Sequence, residues 1–325
     1  MDCPHIKSYL LSIEQLMQDT LNAEDERIYG LLAPYVMRGG KRIRPTLALL
    51  ACGATGGKYE SVLEPAAIIE LFHNFTLIHD DIEDDSEFRR GKPTLHITHG
   101  LPMALNSGDA LYTLIWKKIV SLDLEPAKLL ELQKLYANAF KKVVDGQGIE
   151  ISWIQFDKFD VSEEEYFQMI GGKTSALIGL SCELGALFGD GTHNSNFREF
   201  GENIGAAFQI HDDILNVTGD FEKYQKEIGG DISEGKRTLM VVHCLKHASA
   251  ADNEKLISIL KSHSKEKKDI DTAIALLNKY GSIEYAIQYS IKLIKESKLA
   301  IEKLPDSVDR QSLLSLADYV ISREL

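Results

Sequence analysis

Proline is scarce in this sequence, with 8 residues in 325, and the alternation of apolar and polar residues that is typical of strands is nearly absent. Helix interiors tolerate proline poorly, so a chain with little of it can form long uninterrupted helices. Apolar residues recur at helical spacing along most of the chain, as in the stripe formed by Tyr9, Leu10, Ile13, Leu16 and Met17. The sequence therefore predicts an all-α protein.

Several signals of location and ligand class are also missing. The four cysteines, Cys3, Cys52, Cys182 and Cys244, lack CxxC or zinc-ligand spacing, so we expect ordinary reduced thiols. No apolar run approaches the ~20 residues of a membrane span, and the N-terminus lacks a basic segment followed by an apolar core. A formal net charge of −13 excludes a general nucleic-acid binder, which needs a basic surface. We therefore expect a soluble, cytoplasmic protein.

The helical spacing continues along the chain without a recognisable interdomain linker, which favours one domain over residues 1–325. Breaks fall at clusters of glycine and polar residues such as "RGGKRIRP" and "FGDGTHNS". Helices are predicted over 5–21, 24–38, 43–55, 61–84, 101–122, 126–150, 162–188, 194–217, 236–248, 251–262, 267–279, 282–303 and 307–323.

An unusual density of acid ends one apolar helix, in "LIHDDIEDDSEFRRGKPT" at 77–94. Residues four apart share a helix face, so Asp80 lies with Asp84 and Asp81 with Asp85. Like charges at this spacing destabilise a helix by roughly 0.2–0.5 kcal/mol per pair, and acids at a helix C-terminus are disfavoured by the dipole. This arrangement indicates a cationic ligand.

The motif has a second copy, "QIHDDILNV" at 209–217, which shares "IHDDI" with the first. Asp212 and Asp213 follow an apolar segment, and an uncompensated buried carboxylate pair is costly. Carboxylate oxygens suit magnesium, which also takes ligands from substrate phosphates. Asn216 stands where the first copy has Asp84, so the second site should carry less charge.

Basic groups for a phosphate ligand occur next to glycines, which allow close backbone approach. The basic residues are Lys41 and Arg44 in "GGKRIRP", Arg89 and Arg90 in "RRG", Lys173 in "GGKTS" and Lys236 in "GGDISEGKRT". Two of these motifs add a polar or acidic side chain, Thr174 beside Lys173 and Asp231 before Lys236. The residues alone thus predict a helical bundle that binds two metal ions and a diphosphate.

These motifs, together with "GQGIE", resemble the trans-isoprenyl diphosphate synthases, or polyprenyl synthetases, in order and spacing over nearly the whole chain. The resemblance implies the isoprenoid synthase fold, a single-domain bundle of about ten or more helices around a deep central cavity. It implies condensation of isopentenyl diphosphate with dimethylallyl, geranyl or farnesyl diphosphate, with about three Mg²⁺ ions per site. It also suggests a homodimer packed through helices near 101–150.

The resemblance assigns roles to individual residues. Metal ligands would be Asp80, Asp84 and Asp212, supported by Asp81, Asp85 and Asp213. Isopentenyl diphosphate would be held by Lys41, Arg44, His73 and Arg90. The allylic diphosphate would be contacted by Arg89, Lys173, Thr174, Gln209, Lys226 and Lys236, of which Lys173, Thr174, Gln209 and Lys236 would assist catalysis. Lys223 competes with Lys226 for the family lysine.

Product length is expected to depend on a stripe before the first aspartate motif, formed by Ile68, Phe72 and Phe75. Thr76 and the uninserted "DDIED" resemble geranylgeranyl synthases, so geranylgeranyl diphosphate is the predicted main product; a farnesyl or longer-chain synthase is the alternative. Two further alternatives are a terpene cyclase, which would not need Lys41, Arg44 and Arg90, and a non-catalytic partner subunit of a heteromeric synthase, which typically lacks one aspartate motif.

Overall fold

The structure, a computed structural model, describes residues 3–190, 195–219 and 228–322. Its first half contains α1 Lys7–Asn22, α2 Glu26–Val36, α3 Ile43–Ala54, α4 Leu63–Glu83, the strands β1 Phe88–Arg89 and β2 Lys92–Pro93, α5 Leu95–His99, α6 Leu101–Val120 and α7 Pro126–Gln155. The remainder contains α8 Glu163–Ile170, α9 Ala176–Gly189, α10 Ser195–Thr218, α11 Gly230–Ser233, α12 Leu239–His247, α13 Ala250–Ser262, α14 Lys267–Lys279, α15 Ser282–Ala300 and α16 Val308–Ser322.

The predicted all-α class is confirmed, and most predicted helices end within a few residues of the observed bounds. The helix predicted over 162–188 is observed as one helical run from Glu163 to Gly189, but it contains a π-helical turn at Gly171–Ser175, where two adjacent glycines weaken the α-helix. The break expected in "DDSEFRRGKP" contains a short antiparallel hairpin that pairs β1 with β2. The chain divides into two compact units, and its organisation as a single domain stays a prediction.

The first unit comprises Met1–Ala137, Leu180–Phe197 and Leu304–Leu313. Helix α4 lies among α6, α1 and α3, and its N-terminal two-thirds is almost continuously buried. A helix of 21 residues is about 30 Å long. The acidic motif occupies its C-terminal end, where the hairpin and α5 follow.

The turn between α2 and α3 brings basic residues of the first unit close to α4. Arg42 caps α3 with a left-handed backbone (φ 46°), and its buried guanidinium donates to Glu14 on α1 and to Glu70 on α4. These contacts fix the turn that carries "GGKRIRP" against the middle of α4.

The second unit comprises Asn138–Gly179, Arg198–Lys303 and Leu314–Leu325. Helix α12 packs against α8 and α15, and α13 and α14 pack against each other. The π turn lies against the C-terminal half of α7, because a Cβ at Gly146 would be 2.2 Å from the backbone nitrogen of Lys173. A Cβ at Gly172 would likewise be 2.4 Å from the carbonyl oxygen of Lys142. Glycine at both positions permits this approach.

Among the described residues, no helix combines the length and apolar character needed to cross a membrane.

Candidate active site

The aspartates at the acidic end of α4 differ in their exposure to solvent. Asp80 is half-buried, Asp84 and Asp85 are exposed, and Asp81 is buried at 1% exposure. Asp85 has a left-handed backbone (φ 49°) that turns the chain out of the helix. The two predicted metal ligands, Asp80 and Asp84, are therefore accessible on one face, one turn apart.

Asp81 has a different environment from its neighbours. Its carboxylate accepts the Tyr35 hydroxyl at 2.6 Å and two donors of Arg89 at 2.6 and 2.7 Å. Burial, and then the hydrogen bond to Asp81, raise the pKa of the Tyr35 hydroxyl, so it remains a donor. Burial alone would lower the pKa of Arg89, but the Asp81 carboxylate outweighs it and leaves that pKa raised. Asp81 thus holds Arg89 in place, and its supporting role at a metal site stays a prediction.

The two arginines of "KRIR", Arg42 and Arg44, differ in whether carboxylates balance their charge. Arg42 is neutralised by Glu14 and Glu70 at 2.9 and 3.0 Å. Arg44 is half-buried, and its Nε is shielded from solvent without a hydrogen-bond partner. Burial lowers the pKa of Arg44, and Glu70 opposes that effect. Arg42 therefore stabilises the turn, whereas Arg44 keeps a donor for a ligand.

Arg90 and His73 belong to the same cluster. Arg90, with a left-handed backbone (φ 54°), donates to the carbonyl oxygen of Gly39, and a Cβ at Gly40 would be 3.0 Å from its Nη2. The pKa of His73 is far below its usual value, first because the side chain is desolvated and then because Arg44, Arg90, Arg89 and Arg42 are close. His73 is therefore a neutral imidazole near a group of cations. Lys41 is exposed at the start of the motif.

The second unit contains another cluster, built around the π turn. Lys173 forms an ion pair with Glu150 of "GQGIE". The Thr174 hydroxyl donates to Gln209 at 2.8 Å, and Gln209 donates to Asp213 at 2.8 Å. π-Helical turns commonly occur at functional sites, and here the turn carries two of the predicted diphosphate ligands.

A small cavity of about 40 Å³ lies at this cluster, lined by ten residues that include Glu150, Lys173, Gln209, Asp213 and Lys236. Asp213 is buried, and burial followed by the charge of Asp231 raises its pKa well above the usual range. Lys236 pairs with Asp231 at 3.2 Å. A cation near Asp213 would offset this burial and repulsion.

Asn216 has a structural contact that explains its place in the second motif. Its side-chain oxygen accepts the backbone N–H of Asp231 at 3.0 Å, and its carbonyl accepts the N–H of Gly229 at 2.8 Å. These bonds hold the start of α11 to the end of α10. An aspartate there would add a carboxylate near Asp231, so the amide keeps the contact at lower negative charge.

The predicted aromatic stripe on α4 forms part of a larger ring cluster in the first unit. Phe72 is fully buried, and its ring centroid is 5.3 Å from that of Phe75. Tyr112 of α6 lies 5.2 Å from Phe75 and 6.3 Å from Phe72. The sequence reasoning did not identify Tyr112, because α6 carries no motif at that position.

Other residues in the clusters were also missed: Tyr35, Glu70 and Glu150. "GQGIE" was a signal for Glu150, whereas Tyr35 and Glu70 lie outside the motif set. Lys226 and Lys223 lie outside the described residues. The assigned roles of the other site residues stay predictions.

A magnesium ion is bound by hard oxygen ligands in nearly octahedral geometry. Within residues 3–190, 195–219 and 228–322, no three His, Cys, Asp or Glu side chains form a ready-made metal site. Magnesium usually takes one or two carboxylates and completes its shell with waters and substrate phosphates. The paired carboxylates at the ends of α4 and α10 are suitable hard oxygen donors, so they fit the ion.

Long helices that end in aspartate pairs, with arginines that retain unpaired donors near the first pair, define an isoprenoid synthase. The chain belongs to the polyprenyl synthetase family, whose model matches residues 25–277, and the prediction of a trans-prenyltransferase is confirmed.

Relatives and solved structures agree with this assignment. The short chain isoprenyl diphosphate synthase of Methanothermobacter thermautotrophicus is 40% identical, over 96% of this chain and 93% of that protein. The geranylgeranyl pyrophosphate synthetase of Pyrococcus horikoshii superposes with a TM-score of 0.91 at 36% identity, over 98% of both chains. The geranylgeranyl pyrophosphate synthase of Corynebacterium glutamicum, solved with isoprenyl diphosphate and magnesium, has a TM-score of 0.87 at 25% identity, over 100% of both chains.

Proposed function

We propose that the chain is a geranylgeranyl diphosphate synthase that condenses isopentenyl diphosphate with an allylic diphosphate. The observation that carries the proposal is the basic cluster of Arg44, Arg90 and neutral His73 near the acidic end of α4. A cluster with an unpaired arginine donor favours an anionic ligand. A terpene cyclase would not need this second diphosphate site.

Each diphosphate is assigned its own set of residues. Lys41, Arg44, His73 and Arg90 bind isopentenyl diphosphate. The allylic diphosphate is bound by Arg89, Lys173, Thr174, Gln209, Lys236 and the lysine at 226. Asp80, Asp84 and Asp212 are the proposed ligands of about three Mg²⁺ ions, which when bound supply positive charge to the departing diphosphate.

The chemistry follows from charge. The allylic carbon–oxygen bond breaks, and the cationic side chains stabilise the negative charge that develops on the diphosphate. The double bond of isopentenyl diphosphate then attacks the allylic cation, forming a carbon–carbon bond, and the released diphosphate takes the proton that is lost. Apolar and aromatic walls such as Phe72 and Phe75 exclude water, which would otherwise quench the cation.

The role of limiting product length is assigned to the aromatic cluster on α4 and α6. Phe75 is five residues before Asp80, and Phe72 is eight before it. Their contact with Tyr112 supports a wall of three rings beside the acidic end of α4. Several archaeal relatives of 30–34% identity are named geranylgeranyl diphosphate or pyrophosphate synthases, which supports a twenty-carbon product.

A homodimer is part of the proposal. Ile97, Leu101, Met103 and Leu105, in and next to α6, expose apolar side chains at 53%, 54%, 39% and 44%. Contiguous exposed apolar groups mark interaction surfaces. Sedimentation of the parent and of Leu101→Glu with Leu105→Glu tests this, because the double variant should sediment as a monomer.

The test of activity is incubation with Mg²⁺, isopentenyl diphosphate and each of dimethylallyl, geranyl and farnesyl diphosphates, followed by chromatographic sizing of the products. A twenty-carbon diphosphate from all three starters is expected, and chelation of the metal should stop its formation. Failure to elongate any starter would refute the proposal and favour a non-catalytic partner subunit. A main product of fifteen carbons, or of more than twenty, would change only the proposed product length and leave the proposed reaction intact.

A further inference from the structure

Arg38 is the residue before the two glycines of "GGKRIRP", in the turn after α2. Neither that motif nor the assigned chemistry gives it a role. It nevertheless lies within the first cluster, because its guanidinium carbon is 4.7 Å from the centroid of the Tyr35 ring.

The neighbours of Arg38 belong to the site. The Tyr35 hydroxyl donates to Asp81 at 2.6 Å, and Asp81 holds Arg89. On the other side, Arg90 donates to the carbonyl oxygen of Gly39, the residue after Arg38. Arg38 therefore lies between the residues that anchor Arg89 and Arg90.

The other arginines in this region differ in how their charge is balanced. Arg42 has two carboxylate partners, and Arg89 has one. In the described part of the chain, no ion pair joins Arg38 to a carboxylate, and its Nε and Nη1 are shielded from solvent without a hydrogen-bond partner. An unsatisfied buried donor destabilises the fold, and a charged one does so more strongly. Burial lowers the pKa of Arg38, and nearby Tyr35 and Asp81 oppose that effect without accepting a hydrogen bond from its Nε or Nη1. Because arginine stays protonated in proteins, these donors suit an anionic ligand.

We propose that Arg38 is a further ligand of the diphosphate group of isopentenyl diphosphate, in addition to Lys41, Arg44, His73 and Arg90. This inference rests on the proposed function. A guanidinium matches the geometry of phosphate oxygens. Glu14 and Glu70 neutralise Arg42, so Arg38 supplies charge that Arg42 cannot.

The test is steady-state kinetics of Arg38→Ala, Arg38→Lys and Arg27→Ala, with each substrate varied in turn. Loss of one hydrogen bond to a charged group, about 1.5–3 kcal/mol, corresponds to a rise of about 10- to 150-fold in KM for isopentenyl diphosphate. The KM for the allylic substrate and kcat should change less than about twofold. Arg38→Lys should give an intermediate KM, because it keeps the charge and loses the planar fork. Arg27 is the matched control, since it lies on α2, the helix that precedes Arg38, and pairs with Asp25 at the surface.

The outcomes separate the two proposals. A parent enzyme that never consumes isopentenyl diphosphate refutes the proposed function. An active parent whose KM values are unchanged in Arg38→Ala overturns the inference, as does a change confined to the allylic substrate. If Arg38→Ala does not fold, Arg38→Lys decides, because an unchanged KM for isopentenyl diphosphate in that variant also overturns it. Equal shifts in both KM values together with earlier melting would assign Arg38 to support of Tyr35 and Asp81 instead. Calorimetric titration with isopentenyl diphosphate should show the same weakening in direct binding.

Discussion

Replacing Gly146 with alanine should both destabilise the protein and impair turnover. The new Cβ would be 2.2 Å from the Lys173 nitrogen, 2.7 Å from the Met169 oxygen and 2.8 Å from the Gly172 carbonyl carbon, all backbone atoms. None of these atoms can rotate away, so α7 and the π turn must separate. Overpacking of this kind lowers the free energy of unfolding by about 3 kcal/mol, and the better helix propensity of alanine offsets about 1 kcal/mol of that loss.

The expected net loss is therefore about 2 kcal/mol. With an unfolding entropy of about 2.1 cal/mol/K per residue, 1 kcal/mol corresponds to about 1.5 °C in a chain of 325 residues, so Tm should fall by about 3 °C. Displacement of Lys173 by about 1 Å should lower kcat by 10- to 100-fold.

Gly148 provides the matched control on the same helix. A Cβ there meets nothing within 4 Å, so Gly148→Ala should raise stability by up to about 1 kcal/mol and leave kcat unchanged. Scanning calorimetry and product assays on both variants measure these effects. If Gly146→Ala melts and turns over like Gly148→Ala, the close packing of α7 on the π turn is not what positions Lys173.

Four further predictions concern the charged and aromatic residues. Asp80→Asn and Asp84→Asn should nearly abolish turnover yet leave metal-free Tm equal or slightly higher, because a repulsion is removed; early melting with retained activity would contradict the ligand assignment. Arg90→Ala should raise KM mainly for isopentenyl diphosphate and Lys173→Ala mainly for the allylic substrate; equal effects on both would argue against two separate diphosphate sites. Since the pKa of His73 is depressed in the fold, the unfolded chain binds more protons below pH ~6.5, so stability is lost as pH falls from about 7 to 5.5. His73→Gln should reduce that loss by about 1 kcal/mol in melts at the two pH values, and an unchanged loss would refute the depressed pKa. Phe75→Ala, with Phe72→Ala or Tyr112→Ala added, should give products of twenty-five or more carbons, and an unchanged product distribution would return these rings to ordinary core packing.

Helical periodicity predicted the fold well because apolar stripes and glycine-rich breaks are local signals, present in the sequence within a turn or two. The π turn at Gly171–Ser175 was not predictable in this way, because the spacing of apolar residues does not distinguish one π-helical turn from α-helix. The hairpin has strands of two residues each, too short for any alternation to be visible.

The charged residues illustrate the same limit at the site. Motifs identified Asp81, Arg44 and Arg90 as members of a charged cluster. They named Arg44 and not Arg42, but they gave no physical reason for the difference, because it depends on Glu14 and Glu70 rather than on neighbours in sequence. Tyr35 is 46 residues from Asp81, so nothing local in the sequence indicates their hydrogen bond.

Because Phe72, Phe75 and Asp80 lie on one continuous helix, product length in this scaffold should evolve in discrete steps. Moving a bulky ring by one position rotates it by about 100° around α4, away from the direction it previously faced. Only moves of three or four positions preserve that direction, and they change the distance from the aspartates by about 4.5–6 Å. Inserting a single residue between Phe75 and Asp80 should therefore disorganise the wall rather than lengthen the product by a fraction of an isoprene unit. Intermediate chain lengths are thus excluded by helix geometry as well as by the five-carbon size of the substrate.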